Sequence, residues 1–461
     1  MTKRPENAAP ITTLGLRLPA DAERRFDENR AVWVADKPPY MPSAPLAADT
    51  TADVAIIGGG FTGTSTAYHL ARRFPDRRVV LLEAKQLANG ASGRNGGLML
   101  NWVNGVTSGD PEQAKRIYEV TRSGIDLIES IIREHGLSVA YQRTGCLEIF
   151  TDARRAEAAA RTVEELRAVG LPLEFLDQRA LSSRVAFEGA AGAVLDPTAG
   201  QIDGVDLVRG MKDVLLRLGV VIHEGTPVTR VHEGREVVLD TPSGQVRAKA
   251  IVLATNAYTP ALGYFRSGVF PLHSHLVATE PLDRAAREKL GWLGDVAGFS
   301  DDLDRLAYGG FTSRGELVFG GGSNAAYSYR FGSRTALPAP PPSSFEAIHR
   351  RLLAYLPNAR DVRLRHRWSG PVALTMSRVC TMGVQGEHRN VYFALGYSGH
   401  GITLANLAGR VLCDIYSDDD ARWRGLPFYQ QRLLYIPPEP LRWMGYQVYT
   451  RLTGRSPRRS L

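Results

Sequence analysis

Cysteine is nearly absent: Cys146, Cys380 and Cys413 are the only three in a chain of 461 residues, and they lie far apart. An odd, scattered set builds neither a disulfide frame nor a thiolate metal cluster, and it suits a reducing compartment. No metal site is expected either, because the near pair His273 and His275 has no third ligand beside it. No run of about eighteen apolar residues exists, which excludes a membrane-spanning helix. The N-terminus carries basic residues without an apolar stretch behind them, so no secretory signal is read and a cytoplasmic location is expected. Lysine is scarce, seven of 56 basic residues, and arginine carries most of the net charge of +8. The arginines are scattered, with no basic stripe interleaved with aromatics, so nucleic acid is not an expected partner.

What is present is concentrated between Val54 and Gly97. Val54–Ile57 is an apolar run that reads as a buried parallel strand. Gly58, Gly60 and Gly63 follow it as G-x-G-x-x-G, and helix-compatible spacing (Ala67, Leu70, Ala71, Phe74) comes next. A second apolar run, Val79–Leu82, ends in Glu83, twenty positions after Gly63. A glycine triplet alone is weak. The order strand, glycine turn, helix, strand, acid is the dinucleotide-binding unit. Gly58 permits the tight turn, Gly60 lets the backbone approach a pyrophosphate at the positive helix end, and Gly63 lets helix and strand pack closely. Glu83 accepts hydrogen bonds from a ribose, and its charge argues against NADP.

The rest of the chain reads more coarsely. Residues 1–50 suggest an extended arm, with Trp33, Pro38, Pro39, Tyr40 and Pro42 lying on the body. Helices are expected over 112–135, 154–169, 206–219 and 344–355. Strands are expected at Gly145–Phe150, Val220–His223, Pro227–Val231, Val237–Thr241, Gln245–Ala248, Lys249–Thr255, Leu272–Thr279, Leu306–Phe311, Glu316–Gly320 and Val391–Leu395. A buried strand returning as late as Lys249–Thr255 implies interleaved domains. The expected nucleotide domain takes 51–140, 196–262 and 365–416. The expected substrate domain takes 141–195 and 263–364, and 417–461 forms a basic C-terminal tail.

Further segments, K-A-I-V-L-A-T-N-A-Y at Lys249–Tyr258, H-R-W-S-G-P at His366–Pro371 and A-L-G-Y-S-G-H-G at Ala394–Gly401, stand in order after the nucleotide unit and the A-S-G-R-N-G-G loop at Ala91–Gly97. With them, the chain resembles the D-amino-acid-oxidase-like FAD oxidoreductases over roughly residues 30–415, most of all the gamma-glutamylputrescine oxidase branch. The resemblance implies an α/β fold: a Rossmann-like FAD-binding domain interleaved with an α+β substrate domain built on an antiparallel sheet. It implies non-covalent FAD, since Ser369, Gly370 and Pro371 follow Trp368 where one branch carries a flavin-linking cysteine. Gly58, Gly60, Phe61, Thr62 and Gly63 would hold the pyrophosphate, and Glu83 and Ala84 the adenosine ribose. Ser92, Arg94, Asn95, Gly96 and Gly97 would run along the pyrophosphate and flavin. Val228 would meet the adenine through its backbone, and Ala254 and Thr255 would close the nucleotide side. Gly396, Gly399, His400, Gly401 and Ile402 would lie against the isoalloxazine, with a helix start aimed at the charge of the reduced ring.

The implied chemistry is oxidation of a C–H bond next to an amine by hydride transfer to flavin, giving an imine that water converts to a carbonyl compound. The partners would be a small-molecule amine or amino acid, and oxygen or another electron acceptor. The catalytic candidates are His400, Arg367 and Tyr308, with Arg305, His273, His275 and Trp368 as further substrate-side groups. Leu374-Thr375-Met376-Ser377 and Tyr308-Gly309-Gly310-Phe311 depart from the usual pattern on the substrate face, so no named member's substrate is carried over. Three other readings stand beside this one: a dehydrogenase passing electrons to a quinone or a protein, a flavin monooxygenase, and a non-catalytic flavin binder. In the tail, Leu441, Met444, Val448 and Leu452 form one stripe, with Arg442, Arg451, Arg455, Arg458 and Arg459 around it. Such a helix can rest on an anionic membrane, although packing on its own protein is commoner.

Overall fold

A computed structural model describes residues 27–28, 30–303, 306–322 and 342–452. The apolar run at Val54 is the end of a longer strand, Thr50–Ile57, parallel to Val79–Leu82 on one side and to Gly244–Leu253 on the other. Val221–His223 extends the sheet beyond Val79–Leu82. Val391–Leu395 runs parallel to Gly244–Leu253 at its C-terminal end. Val79–Leu82 and Val391–Leu395 are buried along their whole length. A parallel strand covered on both faces must be apolar throughout, and this is why these strands read so clearly in the sequence.

Two expected strands, Gln245–Ala248 and Lys249–Thr255, prove to be one, Gly244–Leu253. It leaves a hairpin with Val237–Thr241 and continues beside Thr50–Ile57 without a break. The strand read at Pro227–Val231 is shorter and later, Arg230–His232. The expected helices appear as Pro111–His135, Ala153–Ala168, Gly204–Arg217 and Pro342–Tyr355. The first of these shows why its limits were readable. The Asp110 carboxylate accepts the Glu112 amide, Pro111 opens the helix, and Gly136 closes it at φ 60°.

A second sheet has nine strands in the order Asp27–Glu28, Leu364–Leu374, Phe270–Pro281, Glu316–Gly322, Ala307–Phe311, Gly298–Asp301, Cys146–Phe150, Gly192–Asp196 and Glu174–Asp177. Neighbours are antiparallel except where Asp27–Glu28 meets Leu364–Leu374 and Gly298–Asp301 meets Cys146–Phe150. Residues 365–374, grouped by the sequence expectation with the FAD-binding segments, therefore belong to the second sheet, paired with Phe270–Pro281. Their many buried small and apolar residues read equally well as either sheet. A mixed α/β fold is what the two sheets and their helices form.

The first described residues lie against the body. Trp33 is buried, and its indole N–H donates to the Asn95 carbonyl at 2.7 Å. Lys37 pairs with Asp203 at 2.6 Å. In the tail, Leu441–Leu452 is helical and its stripe is exposed, Leu452 by 81%. Arg455, Arg458 and Arg459 lie outside the described residues.

Candidate functional site

Phe61–Arg73 begins directly at the glycine turn, and its start is built by backbone contact. Gly58 sits at φ +109°, and a Cβ there would lie 2.8 Å from the Ala254 carbonyl oxygen. A Cβ on Gly63 would lie 1.8 Å from the Gly58 oxygen. Ser92, in the short 3-10 turn Ala91–Gly93, accepts the Phe61 amide at 3.0 Å. Glu83 accepts the Gly59 amide at 2.8 Å and the Lys85 amide at 2.9 Å, one on each carboxylate oxygen. Burial pushes its pKa up while those two bonds pull it down. Ala84 follows it, and Thr226 donates its amide to the Glu83 carbonyl at 2.8 Å, which brings half-buried Val228 toward the same end of the sheet. Thr255 bonds Thr259 hydroxyl to hydroxyl at 2.8 Å beyond Ala254.

A second helix start lies beside the first. Gly401–Tyr416 crosses Phe61–Arg73 so closely that a Cβ on Gly409 would lie 2.2 Å from the Ser65 hydroxyl. At their N-terminal ends Thr62 and Tyr397 share a hydrogen bond of 2.7 Å. Neither helix is capped by the side chain of its own N-cap residue or has an acidic residue in its first turn, although Phe61, Thr62, Ile402 and Thr403 are buried. Buried, uncapped N-termini leave amide donors that an anionic ligand satisfies. Gly399, at φ +103° just before the second helix, has open space where a Cβ would be. Gly396 is instead crowded: its amide donates to the Asn256 side chain at 3.0 Å, and a Cβ would meet Thr375 at 2.6 Å. His400 is half-buried, has an Nδ1 without a partner among the described residues, and is held neutral by burial, with its pKa pushed down to about 4.

The loop between these helices is braced from within. The Asn95 amide donates to the Ala91 and Ser92 carbonyls, and its oxygen accepts the Gly97 amide at 2.9 Å. One face of the nine-stranded sheet then presses on the loop. Trp368 donates to the Arg94 carbonyl at 3.0 Å, and Arg94 donates to the Ser369 carbonyl at 3.0 Å. A Cβ on Gly370 would meet Arg94 at 2.8 Å, and one on Gly96 would meet the Tyr308 ring at 2.6 Å. Ser274 donates to the Gly321 carbonyl, so the Tyr308 hydroxyl donates to Ser274, at 2.7 Å. Burial pushes the Tyr308 pKa up to about 12.

Strand alternation divides the other candidates. Trp368 pairs with Leu276, and Gly370 with Ser274, on the face toward the loop. Arg367 pairs with Val277, and Ser369 with His275, on the opposite face. There Arg367 lies over the Phe345 ring at 5.6 Å and His275 meets the same ring edge-on at 5.5 Å. His273 shares that side by its spacing of two from His275. Arg367, expected beside the flavin, and His273 and His275, expected on the substrate side, thus lie on the face covered by Pro342–Tyr355. Arg305 lies outside the described residues. Ser274, Asn256 and Tyr397 were missed by the sequence reading, and Trp33 was read only as part of the arm. Of these, only Tyr397 and Asn256 lay inside a matched segment, where their neighbours took the attention.

The donor set fits FAD: two uncapped helix starts, an acid at the end of the second strand, and a loop from which side chains are excluded. Cys380 comes near Gly396, but it is buried and its thiol is pushed up to about 12, which keeps it from acting as a thiolate nucleophile toward a flavin. Among the described residues no group of acids, histidines and cysteines could hold a metal, and no helix is long and apolar enough to cross a membrane.

Residues 53–415 match the FAD dependent oxidoreductase family. The chain is 29% identical over 430 residues to gamma-glutamylputrescine oxidoreductase of Escherichia coli (strain K12), covering 89% of this chain and 96% of that one. It is also similar to the crystal structure of glycine oxidase from Geobacillus kaustophilus, with a TM-score of 0.69 and 21% identity, covering 83% of this chain and 99% of the other. The crystal structure of L-proline dehydrogenase from P. horikoshii gives a TM-score of 0.66 at 21% identity over 82% of this chain and 94% of that one. The chain belongs to the FAD dependent oxidoreductase family and takes FAD as its cofactor.

Proposed function

We propose that this enzyme oxidises the C–H bond next to the nitrogen of a small amine or amino acid, with oxygen as the final acceptor. FAD supplies the hydride acceptor, and the resulting imine hydrolyses to a carbonyl compound. The residues read as holding the cofactor are Gly58, Gly60, Phe61, Thr62 and Gly63 at the pyrophosphate, Glu83 and Ala84 at the ribose, Val228, Ala254 and Thr255 on the nucleotide side, Ser92, Arg94, Asn95, Gly96 and Gly97 along the pyrophosphate and flavin, and Gly396, Gly399, His400, Gly401 and Ile402 against the flavin.

The observation that carries the reading is electrostatic. Tyr308 and His400, the two titratable candidates left at the loop and the second helix start, are both uncharged at neutral pH, one pushed up to about 12 and the other down to about 4. A site with neither a strong base nor a charged acid suits a reaction in which the substrate arrives as a neutral amine and loses hydride. Tyr308, aimed by Ser274, orients the substrate in this reading, and the sheet face around it keeps water out. The named relatives, an oxidoreductase of a glutamylated putrescine and a glycine oxidase, support the amine class.

The purified holoenzyme, titrated without oxygen against a panel of polyamines, N-acylated diamines and amino acids, should bleach its visible flavin bands with at least one of them. Readmitted air should restore the bands within the turnover time. Bleaching by dithionite but by no amine would sink the reading.

One observation favours a second reading, a dehydrogenase that delivers electrons at an anionic membrane. Leu441, Met444, Val448 and Leu452 are all more than half exposed along one helix, in a segment rich in arginine. Vesicles of phosphatidylglycerol should then co-sediment the full chain but not a Met444→Glu, Val448→Glu variant. Equal recovery of both in the supernatant would remove this reading.

A further inference from the structure

The two helices that start at the cofactor cradle end together at a second feature. The last turns of Phe61–Arg73 and of Gly401–Tyr416 meet Pro111–His135 around a cleft of about 360 Å3. Arg72, Arg73, Arg410 and Arg422 line it, against the carboxylates of Glu134 and Asp414. Most of this charge is accounted for. Arg72 pairs with Glu134 at 2.8 Å, Arg73 with Asp414 at 3.0 Å, and Arg422 also with Asp414. Asp419 takes the outer side of Arg73 at 3.1 Å. Arg72 and Arg73 also complement the negative end of their own helix.

Arg410 has no such explanation. It stands mid-helix, partly buried, without an ion pair or hydrogen bond to any described residue. Burial and the neighbouring Arg422 push its pKa down against the pull of Asp414, so its charge is only partly compensated where it sits. His69, on the wall of the same cleft, has a buried Nε2 with no hydrogen-bond partner among the described residues. Burial, with Arg410 next, pushes that imidazole down to about 4, which leaves it a neutral group able to donate from Nε2. Partly buried charge and buried unpaired polar atoms are costly unless a ligand satisfies them.

We propose that this cleft binds the phosphate group of a small anionic ligand, with Arg410 as its main contact and Arg72, Arg422 and His69 around it. The unpaired fork of Arg410, with the guanidinium groups of Arg72 and Arg422 on the same cleft, suits the many oxygens of a phosphate better than the two of a carboxylate. The volume admits more than one phosphate, so the group belongs to a molecule such as a pyrophosphate or a nucleotide. The site is separate from the cofactor cradle but shares two helices with it, which gives a bound anion a rigid route to the flavin end.

The test uses the flavin-loaded enzyme, titrated calorimetrically at constant ionic strength with inorganic phosphate, pyrophosphate, AMP and citrate. Saturable binding of pyrophosphate or AMP is expected, at least about tenfold weaker in Arg410→Gln and intermediate in Arg410→Lys, with the flavin spectrum of both variants unchanged. AMP binding more tightly than pyrophosphate would identify a nucleotide, and the reverse a free polyphosphate. Three results would overturn the proposal: no saturable binding of any phosphate compound, binding of the same strength in Arg410→Gln, or citrate binding as strongly as pyrophosphate. If Arg410→Gln fails to fold, Arg410→Lys decides between the outcomes, because it keeps the charge and loses the fork.

Discussion

Gly63→Ala purifies without most of its flavin. The single added carbon would lie 1.8 Å from the Gly58 carbonyl oxygen, with Ile56 at 3.4 Å behind it. Nothing there can give way cheaply. The obstacle is backbone, and Gly58 is itself fixed at φ +109° against Ala254. The helix must move off the strand, and with it the amides that meet the pyrophosphate. Overpacking of this kind costs about 3 kcal/mol, on the order of a hundredfold in an equilibrium constant. Two neighbouring glycines calibrate the claim. A Cβ at Gly60 meets only the rotatable Ser92 hydroxyl, at 2.6 Å, and one at Gly399 meets nothing. Gly60→Ala should lose the Ser92 to Phe61 bond and bind FAD more weakly, and Gly399→Ala should pay about 1 kcal/mol for its left-handed backbone. The ratio of flavin to protein absorbance after gel filtration reads all three. Full flavin in Gly63→Ala would show that the helix start has slack that these contacts do not allow.

The second large effect is a loss of stability between pH 6.5 and 4.5. Burial holds His69 and His400 down to about 4 and His275 down to about 3. In that window the unfolded chain takes up protons on these histidines and the folded chain does not, so stability falls as pH falls. Each group costs about 2 kcal/mol by pH 5. Buried carboxylates such as Glu83 and Asp203, whose pKa values burial raises, act in the opposite sense and offset part of this. The net loss should still be on the order of 3 kcal/mol, a large share of the 5–15 kcal/mol that typically holds a domain folded, to order of magnitude. Urea midpoints at pH 7.5 and pH 5.0, followed by flavin release, measure it. An unchanged midpoint would mean that these histidines are solvated.

The nucleotide half of the site was legible because its physics is local. A strand buried on both faces must be apolar, and a turn without room for Cβ must be glycine. The substrate half was not legible, because alternation along Phe270–Pro281 and Leu364–Leu374 gives two faces without saying which one meets the flavin loop. Both faces are covered: His275 and Trp368 are each 0% exposed. Polar residues on strands drew attention to His273, His275 and Arg367, yet they lie on the far side. The informative signal was smallness. Gly298 and Gly370 fall on the loop-facing side with Tyr308 and Ser274, where a Cβ would meet Leu98 at 2.4 Å and Arg94 at 2.8 Å. A face that must accommodate a loop at backbone distance is marked by what it lacks.

The strand order of the first sheet has a consequence for synthesis. Thr50–Ile57 and Val79–Leu82 emerge early, Gly244–Leu253 much later, and Val391–Leu395 with the helix Gly401–Tyr416 near the end. Between them the ribosome delivers most of the strands of the other sheet. No cofactor can be held by both helix starts until nearly the whole chain is out, and the early glycine turn waits through that interval with its amides unsatisfied. Pairings this distant in sequence close slowly, and half-built sheets of this kind are open to aggregation. Riboflavin starvation of the host is therefore a burden on folding yield as well as on activity, because FAD joins two segments that the chain makes at opposite ends of its own production.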